Sequence, residues 1–271
     1  MQTLHLFPVI DQLLIKLLDS LNDEDWNKKT LAKKWTVKDV AAHLLDVTMR
    51  DISIYRDDYL LQPHNDLSSY KKLVDHLNEL NAVWVSAFKR VSPLQIIEML
   101  KSTTELQYKE LCKLDPLKPA IFSVAWAGES RSTNEFHIAR EYTEKFHHQL
   151  QIREAVGKSE EIITPELFTP FIHTLLMGLP HVYRQVEAPK DAEINIRIKP
   201  FGLWKLVKED HGWILLEGIS GRSEATIDMD ADTAWKLFTK GISPEEALQQ
   251  VSIEGDKSLG ATALTMVSVM A

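Results

Sequence analysis

Apolar residues recur every three or four positions through the first 158 residues, which is the spacing of an amphipathic helix. The pattern predicts five helices, and Pro8, capping-box signals and breaks in the repeat set their bounds. They cover residues 8–21, 36–61, 67–91, 93–114 and 132–157. Residues 62–66 read as a loop and 115–130 as a long irregular connection. Five helices without strand alternation predict an up-and-down helical bundle.

The pattern changes after residue 158. A helix is predicted over residues 165–186, and residues 193–199 then alternate apolar and polar side chains with period two. Further strands are predicted at 203–207, 212–217, 225–229 and 251–253, with helices at 232–240, at 244–249 and after Asp256. This is a small α+β domain with an antiparallel sheet. The sequence therefore predicts two domains, residues 1–158 and 159–271.

Composition limits the classes of protein to consider. The net charge is −8, which disfavours a nucleic-acid-binding surface, and no apolar run approaches the roughly 20 residues of a membrane span. The N-terminus lacks the pattern of a signal peptide. We expect a cytoplasmic protein, a monomer or a homodimer, without nucleic-acid or membrane partners. The one cysteine, Cys112, is expected at an ordinary packed helix position rather than as a nucleophile.

The last helix of the predicted bundle carries four polar residues on one face. His137, Glu141, Glu144 and His148 are spaced at i, i+4, i+7 and i+11, so they form a narrow stripe. Burying such a stripe is costly unless its members have partners. A Glu and a His one turn apart need one more ligand to hold a divalent cation.

His43, in the second predicted helix, is the candidate for that ligand. Together with Glu144 and His148 it would make a set of two imidazoles and one carboxylate, which suits zinc, nickel, cobalt or iron(II). Three protein ligands leave positions open for water or substrate, as in catalytic sites. The alternative is that the spacing arises by chance and that these are ordinary surface or core residues.

Other candidates have competing interpretations. His137 and Glu141 either orient the metal ligands or belong to an exposed polar face. Asp39 is expected to cap the second helix rather than to bind metal, and His147 is expected to be solvated. His173 reads as a core or interface histidine. Trp204, Trp213 and Leu215 are predicted to be core residues. The alternative is that they line an apolar cavity for a lipid.

These residues carry a family resemblance. Trp35-x3-Asp39-x3-His43-Leu-Leu, followed by Glu144-x3-His148-x3-Ile152-Arg-Glu-Ala-x-Gly157, resembles the mycothiol-dependent maleylpyruvate isomerase family, one of the DinB-like metal-binding bundles. Residues 225–227, 235–237 and 251–256 are similar to that family's sterol-carrier-protein-like C-terminal domain. The resemblance thus covers nearly the whole chain.

The resemblance implies a four-helix DinB-like bundle in which His43, Glu144 and His148 bind the metal, zinc before nickel, cobalt or iron. It also implies a low-molecular-weight thiol as cofactor and a C-terminal-domain arginine near the site. Arg222, in Gly221-Arg-Ser, is the candidate, and it would hold a carboxylate of a small-molecule substrate. The alternative for Arg222 is an exposed turn residue.

Two features depart from the family. Gln151 stands where relatives commonly have an aspartate. Lysine outnumbers arginine, 22 to 9, which does not suit the high-GC actinobacteria that make mycothiol, so another thiol, or none, is an open alternative.

The reaction follows from the chemistry of a thiol beside a metal. Coordination deprotonates a thiol at neutral pH, and the thiolate serves as nucleophile in isomerisation or S-transfer. The sequence therefore predicts a metal- and thiol-dependent isomerase or S-transferase. The alternatives are a metal-dependent hydrolase and a non-catalytic metal- or lipid-binding protein.

Overall fold

The chain forms two compact units in its structure, a computed structural model that describes residues 3–62, 67–219 and 221–269. The first unit holds the residues up to Ser123 together with Arg131–Ile162, and the second holds Val124–Ser130 together with Ile163–Val269. Of the predicted loop at 62–66, all but residue 62 lies outside the described residues.

The first unit is helical. Its α-helices are α1 (Phe7–Asp19), α2 (Asp23–Asn27), α3 (Val37–Tyr55), α4 (Tyr70–Phe88), α5 (Pro93–Leu111) and α6 (Asn134–Ala155). Helix α3 packs against α4, α5 and α6, and α1 packs against α5 and α6. The apolar faces of α1, α3 and α5 meet in one core that includes Leu14, Val40, Leu44, Ile96 and Leu100. The predicted helical bundle is confirmed.

The residues at the helix ends explain where the predicted bounds differ from the observed ones. Thr36 and Asp39 form the predicted capping box at the start of α3, which confirms Asp39 as a capping residue. The prediction that α3 runs to residue 61 is wrong: Asp58 has a φ of 52°, a left-handed conformation that a helix cannot continue through. Helix α6 is capped by Thr133 rather than Ser132, because Thr133 accepts the Phe136 N–H.

Helix α6 is a polar helix inside the bundle, and its polar groups find partners there. Lys145 Nζ lies 2.6 Å from Asp11 Oδ1 on α1, and both residues are buried. Arg153 donates to the Leu13 carbonyl at 3.2 Å and to Glu161 Oε2 at 2.5 Å. Gln149, turned so that both its amide atoms are satisfied, bonds the Ile10 carbonyl and the Leu14 N–H. All of these bonds except the one to Glu161 attach α6 to α1.

The second unit is a sheet covered by short helices. The strands are β1 (Glu193–Lys199), β2 (Gly202–Glu209), β3 (Gly212–Glu217), β4 (Ala225–Asp230) and β5 (Ser252–Gly255). The helices are α7 (Pro165–Leu176), α8 (Leu179–Val182), α9 (Ala231–Phe238), α10 (Pro244–Ala247) and α11 (Lys257–Ala261). Alternate strand residues such as Ile194, Ile196 and Ile227 are buried. The predicted α+β class is confirmed.

The sheet order β3-β2-β1-β4-β5 corrects one detail of the prediction. Three of the neighbouring pairs are antiparallel, whereas β1 and β4 are parallel. The hairpin of β2 and β3 occupies one edge of β1, so the chain crosses back to the other edge and runs in the direction of β1. The predicted helix at 165–186 is also broken, because Gly178 and Pro180 follow α7 and the chain restarts as α8.

None of the helices in the described part of the chain combines the length and apolar character that crossing a membrane requires.

Replacing Lys145 by Met should lower the free energy of unfolding by about 3 kcal/mol, because the buried Asp11 carboxyl would lose its partner. Burial already raises the pKa of Asp11, against the opposing effect of Lys145. Chemical denaturation of the variant measures the loss. Lys109→Met, which removes an exposed pair with Glu105, is the control and should cost less than about 0.5 kcal/mol. Equal losses in the two variants would contradict the assignment, and Asp11→Leu/Lys145→Met should recover most of the stability.

Candidate metal site

Three side chains from two helices meet inside the first unit. His43 on α3 and Glu144 and His148 on α6 each offer a ligand atom, and these atoms lie within 4.8 Å of one another. His148 Nε2 is 3.5 Å from Glu144 Oε2, and the rings of His43 and His148 are 4.6 Å apart and nearly perpendicular. The structure thus brings together the three residues that the sequence singled out as metal ligands.

Gln151 sets the orientation of His148. The His148 Nδ1 atom is 2.9 Å from Gln151 Oε1, three residues further along α6. Because an amide oxygen only accepts hydrogen bonds, Nδ1 carries the proton and donates it. In a neutral ring Nε2 then keeps its lone pair, and Nε2 is the atom that lies next to Glu144. A partner of this kind is typical of metal-binding histidines.

The protonation states suit a cation. Burial, helped by His148, lowers the pKa of His43 well below its ordinary value, so this imidazole is neutral. Burial alone would raise the pKa of Glu144, but His148, His147 and Arg140 outweigh this and hold the pKa below the usual range. His43 is 4% exposed, and its Nδ1 has no hydrogen-bonding partner among the described residues. A neutral His43 imidazole with an orphaned nitrogen and an ionised carboxylate fit a divalent cation.

The three residues line a cavity of about 80 Å³. One water molecule needs only about 10–15 Å³ by the same measure, so small ligands fit beside a cation. The Trp35 ring packs against His43 at 4.9 Å and closes one side. The other residues lining the cavity are Val47, Arg50, Leu77, Asn81, Arg140 and Glu141.

The rest of the predicted stripe on α6 is buried as well, which removes the exposed-face interpretation. His137 and Glu141 are 1% and 4% exposed. Glu141 lines the cavity and is bonded to Arg140, and burial raises the pKa of Glu141 to about 7. His137 contacts Tyr55 and Arg140 instead. That these two residues orient the metal ligands stays a prediction.

Two expectations about single residues are wrong. His147 is buried rather than solvated, because its Nδ1 bonds the Thr143 carbonyl at 2.9 Å one turn earlier on α6. Cys112 is exposed rather than packed, because α5 ends at Leu111 and leaves it at the cap.

The expected core residues of the second unit do have partners there. His173 is half-buried and accepts a hydrogen bond from Trp204 Nε1 at 2.9 Å. Trp204 and Trp213 are 2% and 5% exposed, and Trp213 donates to the Val186 carbonyl. The tryptophans are therefore packed core side chains, and Leu215 is half-buried beside them in β3.

Arg222 belongs to the second unit and is exposed. It lines a cavity of about 520 Å³ together with Arg197, Ser223, Thr226 and Glu254. Its assignment as the arginine that holds the substrate carboxylate stays a prediction.

Sequence reasoning missed Arg140 as a site residue. It lies four residues before Glu144, one turn along the same helix, so its spacing alone could have placed it beside the predicted ligands.

Comparisons with known proteins identify the fold. Residues 8–50 match the family described as the mycothiol maleylpyruvate isomerase N-terminal domain, and this segment includes His43. A crystal structure of a histidine-to-alanine variant of mycothiol-dependent maleylpyruvate isomerase matches 93% of this chain and 91% of its own, with a TM-score of 0.52 at 9% identity. The chain has the fold of that isomerase. Its predicted resemblance to the family is confirmed.

Other matches add less. A second crystal structure of mycothiol-dependent maleylpyruvate isomerase covers 86% of each chain with a TM-score of 0.51 at 9% identity. At such identity the likeness to maleylpyruvate isomerase establishes the fold alone. A protein described as UbiJ-SCP2, a ubiquinone synthesis protein, matches 38% of this chain with 14% identity and a TM-score of 0.23, too low for any argument. No curated protein matches the sequence.

Replacing Gln151 by Leu should weaken zinc binding by about 10- to 100-fold, because His148 would lose the partner that fixes its ring. Titration with zinc in competition with a chromogenic chelator measures the affinity. Gln151→Glu keeps an acceptor at the same place and should bind zinc at least as well as the unchanged protein. A folded Gln151→Leu protein with unchanged affinity would show that Gln151 does not position the ligand.

Proposed function

We propose that this protein is an enzyme that holds a divalent metal ion with His43, Glu144 and His148 and uses a low-molecular-weight thiol to isomerise a small substrate or to transfer sulfur to it. The observation that supports this most directly is the buried triad beside a cavity. The fold shared with mycothiol-dependent maleylpyruvate isomerase points to the same chemistry.

The triad suits a catalytic centre better than a structural one. Structural zinc sites have four protein ligands, whereas three leave room for a reactant. The residues around the triad are polar on one side, with Arg50, Asn81, Arg140 and Glu141 lining the cavity. A site of this kind can bind a polar or charged molecule next to the cation.

When bound, a divalent cation would supply acidity, because coordination lowers the pKa of a thiol from its ordinary value of about 8.5. The chain's own residues do the rest. The imidazoles of His43 and His148 and the ionised Glu144 provide the ligands, and Gln151 keeps His148 in one tautomer. Trp35 packs against His43 and limits the access of water on that side.

The isomerisation we infer is balanced without an additional reactant. A bound thiol would supply a nucleophile that adds reversibly to an activated cis double bond, so that the carbon–carbon bond could rotate before a trans double bond is restored and the thiol is released unchanged. If the adduct were kept instead, the proton of the thiol would end on the neighbouring carbon and the reaction would be an S-transfer. On the basis of the resemblance alone, Arg222 stays the predicted partner of one carboxylate of the substrate.

The thiol need not be mycothiol, since Gln151 and the lysine-rich composition depart from the family. A hydrolase that uses water in place of the thiol is the second candidate, because the same triad would serve it. The packed tryptophans of the second unit lend no support to a lipid-binding role. A small-molecule substrate, a cytoplasmic location and a monomeric or homodimeric state remain predictions.

Purified protein should contain stoichiometric divalent metal, with zinc expected first, and His43→Ala, Glu144→Ala and His148→Ala should each lose most of it. Elemental analysis of the folded proteins measures this. His211→Ala, which changes an exposed histidine of the second unit, should keep its metal. Retention of metal in all three variants would rule out the triad as the binding site.

Adding a thiol to cobalt-substituted protein should produce a sulfur-to-cobalt charge-transfer band, because the thiolate would enter the open position of the site. Absorption spectroscopy detects the band, and His148→Ala should not develop it. A metal-loaded protein that shows no band with any thiol, yet hydrolyses an ester without one, would favour the hydrolase.

A further inference from the structure

Arg140 is a buried cation in the wall of the metal cavity. It lies on α6 one turn before Glu144, which itself lies one turn before His148. The side chain of Arg140 is 16% exposed, and it lines the same cavity as the triad. Burial by itself would lower the pKa of Arg140, but Glu141, Glu144 and Asp51 outweigh this and raise it, so the guanidinium stays charged.

Side chains from two helices hold the guanidinium in place. Its Nη2 donates to Glu141 Oε1 and approaches His137 Nδ1 at 3.4 Å. Burial, with a contribution from Arg140, lowers the pKa of His137 to about 3, so this ring is neutral. Because a guanidinium only donates, Nδ1 accepts and the proton of the ring lies on Nε2, which donates to Tyr55 Oη at 2.8 Å. Tyr55 on α3 thereby fixes Arg140 through His137.

This holding arrangement leaves hydrogen-bonding capacity unused. Arg140 Nε and Glu141 Oε2 are both buried, and neither has a hydrogen-bonding partner among the described residues. Glu141 is 4% exposed and lines the cavity beside Arg140. Unpaired buried donors are costly and rare in folded proteins, and a ligand that accepts from Nε would remove the cost. The Nε–H belongs to a fixed, planar cation, which suits a carboxylate oxygen.

We propose that Arg140 forms an anion-binding subsite in the metal cavity and takes a carboxylate group of the substrate. Arg140 Nε–H donates to the carboxylate, while His137, Tyr55 and Glu141 act as positioning residues. That the molecule carrying this carboxylate is the substrate rests on the proposed function. The binding of an anion at Arg140 does not. Arg50 lines the same cavity and is less suited, because its side chain is 45% exposed and solvated beside Asp46.

Maleate, a small cis-dicarboxylate, is the probe. It is titrated calorimetrically into cobalt-loaded and metal-free protein, and cobalt absorption reports the metal site independently. Arg140→Met/Glu141→Gln removes the guanidinium and neutralises its partner, so that no buried charge is left alone. We expect this variant to keep the cobalt spectrum and to bind maleate at least about tenfold more weakly. Arg140→Lys, which keeps the charge but loses the Nε–H donor, should also bind more weakly.

Matched variants decide the assignment. Arg50→Gln should change maleate affinity by less than Arg140→Met/Glu141→Gln. Glu141→Gln alone keeps an acceptor for Arg140 Nη2 and should also lose less affinity than the double variant. Equal affinity in the Arg140 variants and the unchanged protein, absence of maleate binding to the unchanged protein, or a larger loss with Arg50→Gln would overturn the proposal. N-acetylcysteine, a thiol that carries a carboxylate, is titrated in parallel. If the Arg140 variant lost more affinity for N-acetylcysteine than for maleate, the assignment of the subsite to the substrate would be overturned.

The outcome is separable from that of the proposed function. A protein that takes up no cobalt defeats the metal-dependent enzyme, yet the metal-free titration still tests Arg140. There, a tenfold loss in the Arg140 variant supports the subsite, and an unchanged affinity refutes it.

Discussion

The burial of a polar helix is the constraint on which the first unit depends. Helix α6 carries histidines, carboxylates, a lysine and two arginines, and most of its residues are buried. Burying such groups costs free energy unless each finds a partner. The helices around α6 must therefore place hydrogen-bonding or charged atoms at matching positions along its axis. Asp11 and the Leu13 carbonyl on α1 and Tyr55 on α3 do so. The helices that pack around α6 must therefore also supply the partners of its polar groups.

The pairing is incomplete at the metal cavity. In the described part of the chain, His43 Nδ1, Arg140 Nε and Glu141 Oε2 are buried without hydrogen-bonding partners, and all three residues line the cavity beside Glu144 and His148. Toward α1, by contrast, α6 has paired its lysine, a glutamine and an arginine. Unsatisfied groups that gather at a single cavity are better explained by a missing ligand than by poor packing. The half of α6 that faces α1 supports the fold, and the half that faces the cavity is left available for chemistry.

The sequence predicted the parts of this arrangement that repeat or have local signals. Helical periodicity predicted the bundle, the Thr36–Asp39 box predicted the start of α3, and the spacing of Glu144 and His148 predicted a shared face. What it missed depends on contacts at the level of single atoms. The burial of His147 depends on a carbonyl of its own helix, and the end of α3 on the backbone of Asp58. A metal-ligand pattern does not indicate Arg140, because an arginine binds no metal.

The proposed metal ligands lie on two helices, α3 and α6, and this limits what sequence similarity can say about the reaction. The segment that matches a known family, residues 8–50, contains one of the three proposed ligands. Glu144 and His148 lie on α6, as do Arg140 and Gln151, which set the surroundings of the site. Gln151 presents a neutral amide to His148, whereas a carboxylate there would make the imidazole a stronger electron donor and lower the charge of the site by one. A more positive centre attracts anions more strongly, and the buried guanidinium of Arg140 acts in the same direction. Arg140 and Gln151 thus favour an anionic ligand in the cavity.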